Sequence, residues 1–490
     1  MPAVSARRER GALAIVLHTH MPYVEGFGTW PFGEEWLWEA IVGCYLPLLD
    51  LLDEGAPLTL SLTPVLCDQL EVPGLTERFA AFVEGVRRET HEEDAAGLRA
   101  GGYETLAQEV ERSLCDYTSA LESLRRRGGE LLGSLAPYAQ WTSSATHAIL
   151  PLLATEAGLR LQIGSGVAAH RARFGSNWRG GFWLPECAYA PWLERALEGA
   201  GVTAACVELT SRFGVGAAEH LCPIATESGV VLVPIDRSTI SLVWSDDGYP
   251  AHRAYRDYHH HTIHHHNPWN NDGEAYDHAL ANAVAREHAA DFVARTRARL
   301  RDAGEAADTG EGARLPGGGL VVCALDTELL GHWWYEGISW LRAVVEECAR
   351  QGLELVRLDD ALEHHEPATL ESEPPGSWGS STWGAGGDLS TWSGPRVAEM
   401  AFAVRAGELR VLAAGDSASS AAVRELLALQ ASDWPFMITR QVAAPYAHER
   451  FEGHRRALEL ALADNREPAH ATGPLRNLAA HADSSYLLAP

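Results

Sequence analysis

The chain has 490 residues, more than one compact core ordinarily organises, so a large domain with additions is expected. Its 66 acidic residues outweigh 39 basic ones, and a net charge of −27 argues against nucleic acid or an anionic membrane as a partner, whereas a neutral polyol or glycan is compatible with it. The 16 Trp, against 13 Tyr and 11 Phe, tilt the composition toward carbohydrate contact, although part of that excess must serve the core.

The apolar run from Ala12 to Leu17 is too short for a secretory core, and no run reaches the ~18 apolar residues of a membrane helix. It reads as the first strand of a cytoplasmic protein. The 8 Cys are scattered with no C-x-x-C pair, which points to neither a zinc ribbon nor a disulfide framework. The strand runs into His18-Thr19-His20. Side chains repeat every two residues along a strand, so both imidazoles share a face at its end, where they suit a metal pair or two donors gripping sugar hydroxyls. Trp30 lies in a Gly-rich loop and is a candidate ligand contact, and the segment from Glu34 to Leu52 has the spacing of an amphipathic helix.

Leu58 to Leu70 supplies a second strand and a turn. Residues 75–133 are charged and rich in Ala and Leu, and are expected to form a helical insertion in a catalytic domain made of residues 1–74 and 134–394. Trp141 to His147 reads as a strand ending in Thr146-His147, and GVTAACVEL, VVLVPID and SLVWS add further strand-like runs. This rhythm points to a parallel α/β barrel or a doubly wound sheet, with chemistry at the C-terminal strand ends. The 6 His between His259 and His266 read as an exposed loop, because no acidic or Cys ligand is spaced to close a metal site. A helix from about Tyr276 to Arg301 and a Gly-rich acidic linker from Ala303 to Gly319 follow.

Two strand ends carry acids among aromatics. Glu186 stands between Trp183 and Tyr189 in GGFWLPECAYAP, and Asp326 ends the buried run GLVVCAL ahead of His332 and Trp333. They are 140 positions apart, so they converge only across a common mouth. Two converging carboxylates walled by aromatics are the minimum equipment for glycoside chemistry. A loop salt bridge is the bland alternative for Glu186, and the second strand-end acid weighs against it. Trp378, Trp383 and Trp392 share a Gly/Ser-rich loop too polar to pack all three. Residues 395–490 read as a helical domain, with Asp433-Trp434-Pro435-Phe436 as a structural helix terminator.

LHTHMPYV, WLPECAYAP and ALDTELLGHWWYEG resemble the signature regions of glycoside hydrolase family 57. TPVLCDQL, WTSSATHAILPLL, SLVWSDDGYPAHRAYRDYH and SDWPFM resemble its branching-enzyme side, particularly actinobacterial members, and the likeness runs from Leu13 to Met437. It implies an α/β fold: a distorted (β/α)7 barrel with a helical insertion and a C-terminal α-helical domain. It also implies Glu186 as nucleophile and Asp326 as acid/base, with His18, His20 and His147 lining the adjoining sugar subsite. Trp30, Trp183, Tyr189, Trp244, His332, Trp333, Trp378, Trp383 and Trp392 are the further substrate contacts expected, the three loop Trp closing over the cleft.

The activity implied is a retaining transglycosylation on an α-1,4-glucan that makes α-1,6 branches, without metal or cofactor, in a monomer. The α-amylases and 4-α-glucanotransferases of the family share these motifs. A metal-dependent deacetylase or mannosidase-like hydrolase with His18 and His20 as ligands is a further alternative, weakened by the lack of an Asp beside them. A non-catalytic glycan-binding protein is another, weakened by the two intact carboxylates. Where many relatives carry an acidic residue shortly before the Thr-His pair, this chain has Ala139-Gln140-Trp141.

Overall fold

The apolar runs become strands buried on both faces, as a parallel sheet flanked by helices requires. The computed structural model describes residues 11–26, 33–175, 178–309, 315–369, 375–464 and 476–488. Nine strands are described: β1 (Ala12–Thr19), β2 (Thr59–Leu62), β3 (Ala139–Ser143), β4 (Gly181–Trp183), β5 (Ala204–Val207), β6 (Ile224–Ala225), β7 (Val231–Pro234), β8 (Leu320–Asp326) and β9 (Glu354–Leu355). All eight residues of β1 are buried, and so are the first six of β8.

Seven strands run parallel in the order β7-β5-β4-β3-β2-β1-β8. β6 pairs antiparallel with β7, and β9 adds two residues to the start of β1. The sheet curls until its ends approach, where the Asp236 N–H just past β7 donates to Val322 O of β8 at 2.9 Å. This is the distorted seven-stranded barrel expected, with a seam between β7 and β8 in place of a full ladder.

Several elements differ from the sequence expectation. β3 stops at Ser143, because the chain turns off the sheet to reach the helix Glu156–Phe174. That helix lies directly on the strand end: a Cβ at Gly166 would sit 2.2 Å from Ser143 O. SLVWS is not a strand, since the Asp236 carboxylate caps a helical turn at Arg237–Ile240 by accepting from Thr239 N–H at 3.2 Å. TPVLCDQL forms a helix (Pro64–Leu70) where a turn was expected, with Pro64 in its first turn. The helix expected from Tyr276 begins at His278 and continues to Thr309, taking in the start of the expected linker.

Residues 75–135 are helical, including Arg88–Ala100 and Glu104–Arg126. The C-terminal region packs Ala398–Ala414, Ser420–Leu429, Asp433–Arg440 and Ala444–Asp464 around Trp434, Leu426 and Phe451. Among the described residues no helix is long and apolar enough to cross a membrane.

Candidate active site at the strand mouth

Sheet register assembles the site. β8 pairs Asp326 with His18 of β1, and β1 pairs His18 with Ser61 of β2, so the three stand in one row at the C-terminal strand ends. Partners across parallel strands face the same side of a sheet. On the next strands Ser143 stands opposite Trp183, and its hydroxyl donates to Trp183 O at 2.8 Å. Glu186 follows in a tight turn with φ 58° and ψ 25°, Cys187 has φ 49° and His147 has φ 57°. Left-handed backbone costs a non-glycine residue of order 1–3 kcal/mol. Contacts from the C-terminal part of the chain offset it: Glu186 O accepts from Thr382 Oγ1 at 2.7 Å and Trp383 N at 3.1 Å, and His147 O accepts from Ser432 N at 3.2 Å.

The three histidines form one stack. His18 and His20 lie 5.9 Å apart at 15°, His20 and His147 3.9 Å apart at 18°, and Trp183 backs His18 at 4.5 Å. His18 Nε2 and His147 Nε2 are 2.9 Å apart, and His147 Nδ1 bonds Ser432 Oγ at 2.8 Å. His20 Nε2 meets Asp433 Oδ1 at 2.9 Å. Burial opposes charge on His20, but Asp433, with Glu328 and Glu186 behind it, holds its pKa above the ordinary value. Burial, and then the neighbouring imidazoles, push His18 and His147 well below theirs. The stack therefore favours charge on His20 and disfavours it on the two rings beside it.

Burial pushes the Glu186 carboxyl up to about 7, helped by the charge of Asp326 and opposed by the Trp383 indole. Asp326 is raised to about 6 by burial, with His20 pulling it down. Trp383 Nε1–H donates to Glu186 Oε2 at 2.9 Å. An indole only donates, so the oxygen it meets accepts, and this contact works for the Glu186 anion against the burial that raises its pKa. Next to them Glu328 takes the Tyr45 hydroxyl at 2.7 Å and the His20 N–H at 3.2 Å, and burial pushes it up to about 8.

Sequence reasoning missed Asp433 and Ser432. The SDWPF segment begins the helix Asp433–Arg440 and delivers Asp433 to His20, instead of serving as a structural terminator. Its signal was an acid and a hydroxyl just ahead of an aromatic in a helical region. Glu328, two residues past Asp326, was passed over in favour of the strand-end acid.

Other expected contacts sit elsewhere. Trp183 is fully buried as the floor under His18 and meets Trp383 edge-on at 5.1 Å. Tyr189 is also buried, bonding Glu194 Oε1 at 2.5 Å. Trp378 is 7% exposed and packs on Tyr189 and Phe213 under Arg212. Trp392, 2% exposed, fills a pocket of Ile149 and Ala188. These two anchor the loop, and Trp383 alone of the three touches Glu186. Trp244 is exposed on the rim after β7, where Arg237 of the preceding turn donates to Trp383 O at 2.8 Å. His332 and Trp333 line a neighbouring cavity that none of the residues around Glu186 and Asp326 enters. Trp30 lies outside the described residues.

Gln140 and Trp141, the departure from the family pattern, are structural. Gln140 Oε1 accepts from Leu60 N–H at the β2–β3 bulge, and Trp141 donates to Asp359 at 2.9 Å. The His tract docks: His264 and His266 each bond Asp94 at 2.8 Å. Among the described residues no group of three or more His, Cys, Asp or Glu is arranged to hold a metal.

A carboxyl with a raised folded pKa contributes stability that is present below its ordinary value and is lost as pH rises through the folded value. For Glu186 that loss runs from about 4.5 to about 7, on the order of 3 kcal/mol at most. Glu186→Gln keeps an acceptor for Trp383 without the charge. Its melting temperature is expected to match the parent's near pH 4.5 and to exceed it increasingly toward pH 8; a constant difference by scanning calorimetry would contradict this account of the burial.

The model for glycosyl hydrolase family 57 matches residues 140–373, and that for the C-terminal region of 1,4-alpha-glucan branching enzymes matches residues 398–483. A 1,4-alpha-glucan branching enzyme of Thermococcus kodakarensis is 33% identical, covering 91% of this chain and 72% of its own. A probable 1,4-alpha-glucan branching enzyme of Mycobacterium tuberculosis is 31% identical, covering 92% of each. The crystal structure of the Thermococcus kodakaraensis branching enzyme matches with a TM-score of 0.81 at 31% identity over 92% of this chain and 90% of that one. The branching enzyme of Pyrococcus horikoshii matches with a TM-score of 0.80 at 30% identity over 91% and 88%. With a barrel and a C-terminal region that both match at this level, the chain belongs to glycosyl hydrolase family 57, in its branching-enzyme subgroup.

Proposed function

We propose that the protein is a retaining 1,4-α-glucan branching enzyme. Glu186, as the anion, attacks the anomeric carbon of an α-1,4-linked glucose while Asp326 gives its proton to the departing oxygen. Asp326, now a base, takes the proton of a 6-hydroxyl on an acceptor chain, and that oxygen displaces Glu186 to leave an α-1,6 link. The stack of His18, His20 and His147, its ring nitrogens held by one another and by Ser61, Thr63, Ser432 and Asp433, walls the subsite of the sugar in transit.

The observation that carries this reading is the tie between Glu186 and the loop over the mouth. Trp383 and Thr382 reach Glu186 through three hydrogen bonds. A loop fastened to the nucleophile holds water away from the glycosyl-enzyme, and transfer prevails over hydrolysis only in a cleft kept dry with the acceptor in place. Incubation with amylose tests it: branching lowers iodine colour and adds α-1,6 links with few new reducing ends, whereas a hydrolase raises reducing ends in step with cleavage.

Trp383 is the residue on which that balance turns. Trp383→Phe keeps the ring and loses the N–H donor to the Glu186 anion, so the acid limb of the kcat/KM profile is expected to move up by about one pH unit. Trp383→Ala also opens the mouth, and the ratio of new reducing ends to new α-1,6 links is expected to rise roughly fivefold or more. An unchanged ratio in one amylose digest would show that this loop does not govern acceptor choice.

A further inference from the structure

We propose that the protein has a second, non-catalytic groove that holds a linear α-glucan chain, between the helix Glu104–Arg126 and the segment that follows Asp326. The inference rests on the α-glucan reading above. A cavity of about 560 Å³ lies there, within the roughly 300–1,000 Å³ usual for ligand pockets, and its walls include none of the residues around Glu186 and Asp326.

Its platform is aromatic. Trp333 stacks on Tyr258 with ring centres 4.6 Å apart and planes at 27°. One face of the indole is thus taken, yet the residue keeps 45% of its surface exposed, so the other side is open to the groove. A large indole held rigid against a second ring and left open suits the apolar face of a pyranose.

The His tract supplies another part of the wall, and it is built firmly enough to serve as one. His265 and His266 line the cavity. Asp94 fastens the tract through His264 and His266, and Arg87 Nη1 donates to His264 O at 3.2 Å.

Several of the charges around the cavity are paired. Asp116 takes Arg112 at 3.0 Å and the Tyr335 hydroxyl at 2.8 Å, Glu39 takes Arg87 and the Tyr117 hydroxyl, and Arg256 is engaged by Glu109 at 2.6 Å. With five acids (Glu39, Asp50, Asp116, Asp257 and Glu336) against three Arg (Arg126, Arg256 and Arg342), the lining has no basic excess to draw an anion. It also presents hydroxyls and ring faces, the recognition chemistry of a polyol. A chain held there lies beside the mouth, because Gly331 to Trp333 follow Asp326 within a few residues, and tethering raises the local concentration of further hydroxyl groups near the glycosyl-enzyme.

The test uses the full chain carrying Glu186→Gln, with maltoheptaose as probe and hydrogen exchange read peptide by peptide. Protection is expected at two places, peptides spanning 181–189 and peptides spanning 256–267 and 331–342. Ser339 is exposed on the cavity wall, so Ser339→Trp fills the groove from the helix surface without touching the mouth. In that background only the second set of protections is expected to vanish, and retardation in an amylopectin gel to weaken roughly fivefold. Trp333→Ala, which empties rather than fills, is expected to do the same. Protection at 181–189 alone, or at both places regardless of Ser339→Trp and Trp333→Ala, overturns the groove and leaves the catalytic reading standing. No protection anywhere overturns the α-glucan reading, and the groove with it.

Discussion

Glu186→Gln is expected to reduce both cleavage and branching of amylose by on the order of 10⁴-fold or more, because an amide cannot form the glycosyl ester through which a double displacement must pass. The loss should fall on kcat with KM little changed, since Gln can keep the Trp383 hydrogen bond and a nearly isosteric shape. Reducing ends and α-1,6 links measured from one digest check it. Activity within tenfold of the parent would remove Glu186 from the reaction, and the mouth would need another nucleophile.

Asp326→Asn should separate the two halves of the cycle. Without a proton donor, attack on an unactivated glucan is expected to slow by on the order of 10²–10⁴-fold. A maltosyl fluoride needs no protonation of its leaving group, so it should still glycosylate Glu186, and with no base to activate the acceptor the adduct should persist. Mass spectrometry of the peptide that contains Glu186 would then show the added sugar. A variant that turns over glucan normally, or that gains no sugar there, would contradict the division of roles.

The parts legible in the sequence were those where one local rule decides the outcome. A buried apolar run that ends in a polar residue marks a strand mouth, and β1, β4 and β8 delivered His18, Glu186 and Asp326 to it on that rule alone. His147 was legible as a position and not as a conformation: Gln162 holds Ala145 and Thr146 off the sheet, a contact that comes from the next helix. Aromatics in the Gly/Ser-rich loop could not be sorted by composition, because whether an indole is a wedge or a ligand contact depends on what lies beneath it. Trp378 finds Tyr189 and Phe213, Trp392 finds Ile149, and Trp383 finds Glu186. Asp433 was illegible for the same reason in stronger form, since its partner His20 lies 413 positions earlier.

That separation bears on how the protein matures. The carboxylates and imidazoles belong to the barrel, but Asp433 and Ser432, which set the charge on His20 and orient His147, come from a segment made late in synthesis. A nascent or clipped chain with a finished barrel and no docked C-terminal helices would keep Trp383 over Glu186 but hold His20 without its counter-ion and His147 without Ser432. Such a half-made molecule has its carboxylates in place but lacks the contacts that hold charge on His20 and orient His147. The last-made part of the polypeptide thus finishes a cluster that the barrel only begins.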